Sequence, residues 1–352
     1  MALSGASGSG RAGVAGRAGV TRPRMQQTRL AVRAGAGGGN GQATATGRTT
    51  IHRLIEEAGI LMVPGCYDAL SAKVLAGAGH KAAFVSGYAV SATLLGEPDL
   101  GLLTPPEMAR KAGQIVTAVP GVPVLVDADT GGGNVLNVQR TVRQLISVGA
   151  KGCFLEDQVW PKKAGHMRNK EVISMEEFAG KVSAAREAIG DADFFLVART
   201  DARGVNAKYG LEDAITRANL YADAGADALY VEAPISKQEL AIIGQKVKGL
   251  RLLSNLEGGM TPLLTPAEAA DLGFHIITYP LSGIYAATKA LQTTYGTLAS
   301  AGSTRESLGS LTAFGEFNDL IGVNERLAAE ARLTRREGEK LVVRVRGPTK
   351  PV

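Results

Sequence analysis

The stretch Val126-Asp127-Ala128-Asp129-Thr130-Gly131-Gly132-Gly133-Asn134 follows an apolar segment and combines two carboxylates, two positions apart, with a glycine-rich turn. In an extended strand, side chains at positions i and i+2 project to the same face. Asp127 and Asp129 can therefore bind one hard cation, either directly or through ordered water. The alternative is a solvated loop in which an aspartate caps the next helix. The surrounding sequence distinguishes the two interpretations.

The composition is that of an ordinary globular protein, with 352 residues of which 45% are hydrophobic and 20% are charged. No run of about 18 apolar residues occurs, so we expect no membrane span. Two cysteines, Cys66 and Cys153, are too few for a disulfide framework or a cysteine zinc site, which indicates a reducing compartment.

The positive charge is concentrated near the start of the chain. Residues 1 to 50 contain seven arginines and no Lys, Asp or Glu, so residues 51 to 352 contribute −1 to the net charge of +6. A nearly neutral remainder argues against nucleic-acid binding. Residues 1 to 49 are rich in Ala, Gly, Ser and Thr and lack the apolar segment of a secretory signal, which predicts an organellar transit peptide. We expect import into the chloroplast; the alternatives are the mitochondrion or a low-complexity tail without an address.

Downstream of the leader, short apolar segments alternate with longer amphipathic ones, as in repeated βα units around a parallel sheet. Eight such units favour a (β/α)8 TIM-type barrel over residues 50 to 335, followed by a basic tail, residues 336 to 352, without regular structure. No Gly-x-Gly-x-x-Gly fingerprint follows the first strand, which argues against a dinucleotide-binding fold. The predicted strands are residues 60–63, 82–86, 122–127, 152–156, 194–199, 228–232, 251–255 and 275–279.

Active sites of such barrels lie at the carboxyl ends of the strands, and here those ends are polar while the strand interiors are apolar. Clustered carboxylates repel each other and lose solvation, so a bound cation is the simplest compensation. Six of the eight strand ends are of this kind: Ser86-Gly87-Tyr88, Asp127-Ala128-Asp129, Glu156-Asp157-Gln158, Ala198-Arg199-Thr200-Asp201, Val231-Glu232-Ala233-Pro234 and Asn255-Leu256-Glu257-Gly258-Gly259.

The residue types at these ends indicate a metal-assisted reaction on a small anion. Asp127, Asp129 and Glu156 form an all-oxygen set suited to Mg²⁺ or Mn²⁺ rather than zinc. Arg199 is suited to bind a carboxylate or phosphonate by two points; its alternative is an internal ion pair with Glu232. The expected substrate is a 2-oxo or 2-hydroxy acid, whose enolate a metal would stabilise. No lysine ends a strand, which argues against a Schiff-base aldolase.

The segment Lys162-Lys163-Ala164-Gly165-His166 follows the fourth strand and combines basic residues with glycine and histidine. We expect it to be a mobile loop that closes over the bound anion. An ordinary basic surface loop is the alternative, and the position just after Glu156 favours the first interpretation.

Taken together, these motifs resemble the phosphoenolpyruvate mutase/isocitrate lyase superfamily from about residue 50 to 330. Residues 193–203 and 217–221 further resemble plant-type chloroplastic carboxyvinyl-carboxyphosphonate phosphorylmutase-like proteins. The motifs are Ser86-Gly87, Leu95-Gly96-Glu97-Pro98-Asp99, Asp127-Ala128-Asp129-Thr130-Gly131, Glu156-Asp157-Gln158, Lys162-Lys163-x-Gly165-His166, Ala198-Arg199-Thr200-Asp201 and Tyr279-Pro280-Leu281-Ser282.

The resemblance implies a barrel whose C-terminal helices, within residues 305 to 335, are exchanged between subunits of a homotetramer, a dimer of dimers, with Mg²⁺ at the strand tips. From the charge distribution and the lack of a long apolar run we expect no nucleic-acid or membrane partner. The strand-end pattern and the resemblance together give three groups of candidate residues: the metal ligands Asp127, Asp129 and Glu156; the catalytic candidates Arg199, Asp99, His166 and Lys162; and the substrate-binding candidates Ser86, Gly87, Tyr88, Gly165, Glu232 and Asn255.

Two departures from the family pattern bear on the reaction. The lyase branch has a cysteine at position 164 that acts as general acid, and alanine cannot donate a proton; 2-methylisocitrate lyases also have histidine where this chain has Phe154. The first hypothesis is a Mg²⁺-dependent, phosphorylmutase-like enzyme that acts on a C–P or C–C bond beside the carboxylate. The alternatives are a 2-methylisocitrate or 2-alkylmalate lyase, an oxaloacetate hydrolase or decarboxylase, and a catalytically silent ligand-binding barrel.

Overall fold

A computed structural model of the protein describes residues 47–337 and 340–343. Eight parallel strands close into a barrel in chain order, and β1 completes the circle by pairing with β8. The predicted (β/α)8 barrel is confirmed, and each predicted strand end lies within three residues of the observed one. The strands are β1 Leu61–Cys66, β2 Ala83–Val85, β3 Val124–Asp127, β4 Gly152–Glu156, β5 Phe195–Thr200, β6 Ala228–Val231, β7 Leu250–Ser254 and β8 Ile276–Tyr279.

Helices connect the strands, and their N-termini carry conventional caps such as Asp68, Asn134 and Ser174. No helix of the described residues is long and apolar enough to cross a membrane. The α-helices are α1 Thr50–Ala58, α2 Ala69–Gly77, α3 Gly87–Val90, α4 Pro105–Ala118, α5 Val135–Ser147, α6 Met175–Ile189, α7 Gly210–Asp223, α8 Lys237–Lys246, α9 Pro266–Asp271, α10 Ser282–Ala301, α11 Phe314–Ile321 and α12 Val323–Leu333.

The two-residue period of the strands sorts their side chains between two cores. Outward side chains pack with the helices in a large cluster. Inward side chains fill the barrel together with Ile51 and Ile55 of α1, the helix that precedes β1. Four strands place an inward apolar residue two positions before a polar one, and the period carries that polar side chain to the inside as well: Leu125 before Asp127, Phe154 before Glu156, Val197 before Arg199, and Tyr230 before Glu232.

The C-terminal segment differs in one respect from the expectation. Residues 336 to 352 were predicted to lack regular structure, but β9 (Thr334–Glu337) pairs with β10 (Lys340–Val343) in an antiparallel hairpin. The physical reason is the run Leu341-Val342-Val343, whose β-branched residues favour a strand. The predicted transit peptide lies almost entirely outside the described residues.

Candidate active site

The polar strand ends surround a cavity of about 240 Å³ at the carboxyl end of the barrel. Its floor is apolar: Phe154 stacks on Phe84 with ring centroids 4.5 Å apart and meets Tyr230 edge-on. Of the residues predicted from the sequence, those that line the cavity are Ser86, Tyr88, Asp99, Asp127, Gly165, His166, Arg199 and Glu232.

Arg199 is the central cation of this site. The strand register places it beside Glu156 of β4 and Tyr230 of β6. Its Nη1 lies 3.1 Å from Glu156, its Nη2 2.9 Å from Asp201, its Nε 3.4 Å from Glu232, and its guanidinium 5.6 Å from the ring centroid of Tyr230. Burial disfavours its charge, but Asp201, Glu156 and Glu232 outweigh burial and raise the pKa of Arg199 well above its usual value. Arg199 therefore both lines the cavity and forms the ion pair with Glu232.

Asp127 is fixed by two backbone donors. The N–H of Gly87 donates to Oδ2 (3.2 Å), and the N–H of Asp129 donates to Oδ1 (3.1 Å). Burial and the neighbouring Asp129 raise the pKa of Asp127, and burial raises that of Glu156 well above its usual value. Asp129 has a left-handed backbone with φ of 47°, a conformation that aspartate tolerates better than most residues.

The predicted metal ligands Asp127, Asp129 and Glu156 are all carboxylates, the donor type that a hard cation such as Mg²⁺ prefers. No three His, Cys, Asp or Glu side chains of the described residues are arranged to bind one ion directly. Magnesium binding therefore stays a prediction. Asp127 lines the cavity, and a cation bound there would offset the cost of burying its carboxylate.

The loop after β4 packs over the cavity. Lys162 is buried, and its Nζ lies 2.5 Å from Asp99 and 2.7 Å from Oδ1 of Asp129, the second contact without hydrogen-bond alignment. The N–H of Ala164 donates to the carbonyl of Asp99 (3.1 Å). Burial opposes the charge of Lys162, but Asp129 and Asp99 raise its pKa well above the usual value. The first residues of the loop after β4 are therefore buried rather than solvated at the surface. The mobility of this loop stays a prediction.

His166 is held at both ring nitrogens. The N–H of Met260 donates to Nδ1 (2.8 Å), so the neutral ring carries its proton on Nε2, which lies 3.1 Å from Glu232. Burial acts to raise the pKa of Glu232, but Arg199 and His166 lower it below its usual value. Gly165 lies so close to Glu232 and Arg199 that a Cβ there would collide with both side chains. The structure thus gives His166 a positioning contact with Glu232.

The remaining predicted residues have different positions. The hydroxyl of Ser86 caps α3 by accepting from the N–H of Ala89 (3.4 Å), whereas Tyr88 lines the cavity. Asn255 does not line the cavity: its Nδ2 donates to the carbonyl of Leu264 (2.6 Å), and the N–H of Leu264 donates to its Oδ1 (3.2 Å). Its amide holds the loop after β7, so the structure does not bring it to the predicted pocket.

Sequence reasoning missed two groups of residues. Lys170 is buried, and its Nζ lies 2.6 Å from Oδ1 of Asp201 and also donates to the carbonyl of Gly165, which links the loop to the carboxylate that holds Arg199. A lysine in a loop carries no sequence signal for such a contact. The second group also lines the cavity and consists of Leu256, Glu257, Leu281 and Tyr285; together with Tyr88, which was predicted, we call these residues the outer wall.

Comparison with known proteins identifies the class. Residues 51–299 match the family described as phosphoenolpyruvate phosphomutase. The chain is 57% identical over 82% of its length to a chloroplastic carboxyvinyl-carboxyphosphonate phosphorylmutase of Arabidopsis thaliana, covering 85% of that protein. It is 55% identical to the petal death protein of Dianthus caryophyllus (84% of this chain, 92% of the relative) and 42% identical to 2,3-dimethylmalate lyase of Eubacterium barkeri (78% and 94%).

Similar solved structures come from enzymes of the same class. Oxaloacetate acetylhydrolase in complex with the inhibitor 3,3-difluorooxalacetate superposes with a TM-score of 0.76 at 32% identity, covering 82% of this chain and 97% of that one. Phosphonopyruvate hydrolase in complex with oxalate and Mg²⁺ superposes with a TM-score of 0.71 at 29% identity, covering 80% of this chain and 96% of that one. The chain belongs to the phosphoenolpyruvate mutase/isocitrate lyase superfamily and is an enzyme of that superfamily. The family resemblance carried by the sequence motifs is confirmed.

Proposed function

We propose that this chain is a Mg²⁺-dependent enzyme that acts on a C–P or C–C bond beside the carboxylate of a small 2-oxo or 2-hydroxy acid, through an enolate-type intermediate. The observation that carries the proposal is the placement of Asp127 and Arg199 in one cavity at the carboxyl end of the barrel. A carboxylate that fits a hard cation and a guanidinium that fits an anion suit such an acid. Asp127, Asp129 and Glu156 would hold the Mg²⁺, which would supply the positive charge that stabilises an enolate oxygen.

The protein's own groups prepare the site. The N–H of Gly87 fixes the Asp127 carboxylate, and Glu156, Asp201 and Glu232 fix the Arg199 guanidinium before the substrate arrives. Orientation of this kind lowers the entropic cost of reaching the reactive geometry. The loop that carries Ala164 and Gly165 lines the cavity, and its closure over a bound substrate would reduce the access of water.

Of the two bonds, the outer wall favours C–C. Leu256 and Leu281 with the rings of Tyr88 and Tyr285 offer an alkyl group an apolar surface, and the charged member of this wall, Glu257, is an acid. A phosphoryl group in contact with this wall would find no cation among its five residues, and Arg199 would have to bind it instead. We therefore favour cleavage of a 2-alkylmalate, with oxaloacetate hydrolysis and phosphoryl transfer as the alternatives. Ala164 leaves protonation of the enolate to a cavity hydroxyl, such as that of Ser86 or Tyr88, or to water.

The assembly and location follow as further proposals. Phe314 of α11 is 85% exposed and Leu327 of α12 is 57% exposed, and apolar helices of this kind favour an exchange between subunits in a homo-oligomer, a dimer of dimers. The arginine-rich leader and the chloroplastic relative support import into the chloroplast rather than the mitochondrion.

Calorimetry with oxalate tests the proposed function. Oxalate mimics an enolate with its carboxylate, and we expect it to bind the full chain with Mg²⁺ and to lose binding when EDTA is added. Asp127→Asn should weaken Mg²⁺-dependent binding about 100-fold, or roughly 2.7 kcal/mol, with thermal unfolding confirming that the variant is folded. Asp271→Asn, at an exposed position at the end of α9, is the matched control. Unchanged binding in Asp127→Asn would contradict the proposal.

A panel of 2-oxo, 2-hydroxy and phosphono acids, read by mass spectrometry with Mg²⁺ present, then identifies the bond. Release of a 2-oxo acid from an alkylmalate supports C–C cleavage, whereas rearrangement or hydrolysis of a phosphonate assigns the C–P bond. A chain that binds oxalate but turns over no member of the panel would be the silent barrel.

A further inference from the structure

The far end of the loop after β4 is tied to the barrel by one buried ammonium group, that of Lys170. The side chain of Lys170 is 1% exposed and is packed against Gly204, in the turn that follows β5. Its Nζ donates to the carbonyl of Gly165 and lies 2.6 Å from Oδ1 of Asp201. A lysine is almost never buried to this extent unless its charge is paired. The carboxylate and the carbonyl supply that pairing.

Both contacts of Lys170 lead to the same guanidinium. Asp201 binds Arg199 by two points, with Oδ2 3.0 Å from Nε and Oδ1 2.9 Å from Nη2. Oδ1 of Asp201 is therefore shared between the two cations. Gly165 also lies against Arg199, since a Cβ placed on this glycine would come within 2.7 Å of Nη2. One ammonium group thus holds both the carboxylate that orients Arg199 and the loop residue that packs on it.

Lys163 gives a matched comparison within the same loop. Its Nζ also donates to a carbonyl of the loop, that of Asn169. Lys163 is only partly buried, however, and within the described part of the chain it forms no salt bridge with a carboxylate. The two lysines therefore share a contact inside the loop, and only Lys170 extends that contact to Asp201 and Arg199.

We propose that Lys170 is a positioning residue, which couples the place of the loop to the orientation of Arg199 and so strengthens the binding of the substrate's carboxylate. This inference rests on the proposed function, in which Arg199 binds that carboxylate. A guanidinium binds an anion by two points most tightly when it is already held in the binding geometry. By linkage, an anion on Arg199 stabilises the loop as much as the seated loop favours the anion.

Calorimetry of oxalate binding to the full chain with Mg²⁺ tests the inference. Lys170→Met keeps most of the side chain and removes its charge, and we expect it to weaken oxalate binding about tenfold. Lys170→Gln, which keeps an N–H donor, should weaken binding about threefold. Lys163→Met is the matched control, and it should change the affinity less than about twofold. Thermal unfolding shows which variants are folded.

A second background separates action through Arg199 from a structural role. Arg199→Lys keeps the positive charge but offers Asp201 a point charge in place of a two-point contact. In this background, adding Lys170→Met should weaken oxalate binding less than about twofold, because the coupling that it removes is already absent. A tenfold loss in both backgrounds would mean that Lys170 acts by its charge alone or by holding the loop, and would overturn the proposal.

The wild-type protein supplies a measurement that needs no variant. If the loop and Arg199 are coupled, oxalate should slow amide hydrogen exchange in residues 164–170 by about threefold or more. Bound oxalate with unchanged exchange would contradict the coupling.

The outcomes distinguish this inference from the proposed function. If oxalate fails to bind the wild-type protein with Mg²⁺, the proposed function is wrong and this inference is wrong with it. If oxalate binds wild type and Lys170→Gln or Lys170→Met equally well, the positioning role of Lys170 is wrong and the proposed function stands. Equal losses in Lys170→Met and Lys163→Met would also overturn the role, because any lysine of the loop would then have the same effect.

Discussion

Glu156 and Asp157 are neighbours in the chain and both are buried, yet they belong to polar clusters of different kinds. Glu156 points into the barrel with Arg199, Glu232 and Asp127, the group we call the inner cluster. Asp157 points outward, beneath α6 and α7, and belongs to an outer network with Thr200, Arg217 and Tyr221. The two-residue period of β4 accounts for this division, because successive side chains leave opposite faces of a strand.

The two clusters differ in how their hydrogen bonds are satisfied. Asp157 accepts from the Thr200 hydroxyl (2.7 Å), the Asp201 N–H (2.9 Å), Tyr221 (2.9 Å) and Arg217 (3.2 Å). The inner cluster instead places several carboxylates around one guanidinium at the edge of a cavity. The closed network has no capacity left for a ligand, whereas the open cluster does. The comparison teaches that buried charge alone does not identify a binding site. A binding site needs buried charged groups that border a cavity and can still accept a ligand.

The largest expected effect concerns the closed network. Asp157→Ala leaves the hydroxyls of Thr200 and Tyr221 and the guanidinium of Arg217 without their shared acceptor, so we expect a loss of about 3–5 kcal/mol in the free energy of unfolding. Guanidinium denaturation followed by circular dichroism measures it. Asp213→Ala removes the other, more exposed carboxylate of Arg217, and should cost about 1 kcal/mol or less. Equal losses in the two variants would remove the distinction between a closed network and a surface pair.

A substitution in the inner cluster should affect stability less than Asp157→Ala does, but should weaken oxalate binding strongly. Glu156→Gln keeps the volume of the side chain, and Arg199 retains Asp201 and Glu232 as partners. The free energy of unfolding should change by about 1 kcal/mol or less, while Mg²⁺-dependent oxalate affinity falls about tenfold. The same denaturation and calorimetry measure both. A destabilisation as large as that of Asp157→Ala, with oxalate binding retained, would assign Glu156 to the framework instead.

The inner cluster could be predicted from the sequence because it depends on local periodicity. An inward apolar residue followed two positions later by a polar one locates Asp127, Glu156, Arg199 and Glu232, and the barrel topology brings the four strand ends together. The same argument placed Asn255 at the pocket, but a polar residue at a strand end has the same signature whether its amide faces the cavity or, as here, the backbone of Leu264.

Contacts made by loops could not be predicted in this way. Lys170 meets Asp201 across 31 positions of sequence, and Ser282 meets Glu257 across 25. No period relates such residues, because the packing of the whole barrel decides where a loop lies.

An exposed carboxylate outside both clusters, that of Asp193, gives the smallest expected effect and extends the comparison to the contact between β5 and α1. Asp193 precedes β5 and accepts from the N–H and the hydroxyl of Thr50, the first residue of α1, both at 2.7 Å, and lies 3.0 Å from Lys151. Burial raises its pKa, but these hydrogen bonds and Lys151 outweigh burial and lower the pKa below its usual value. Its contacts therefore stabilise the folded state when the carboxylate is ionised.

For such a group the stabilisation is present above the unfolded pKa, about 3.9, and is lost as the pH falls through the lower, folded value. Because Asp193 is more than a third exposed, solvent screening limits the effect, and Asp193→Asn should cost only about 0.5 kcal/mol at pH 7. Urea denaturation at pH 7 and at pH 3 should show the cost shrinking at the lower pH. Asp191→Asn, at an exposed position in the same loop, should show no comparable change. A cost that grows as the pH falls would mean that the protonated carboxyl is the stabilising form, which would contradict the lowered pKa of Asp193.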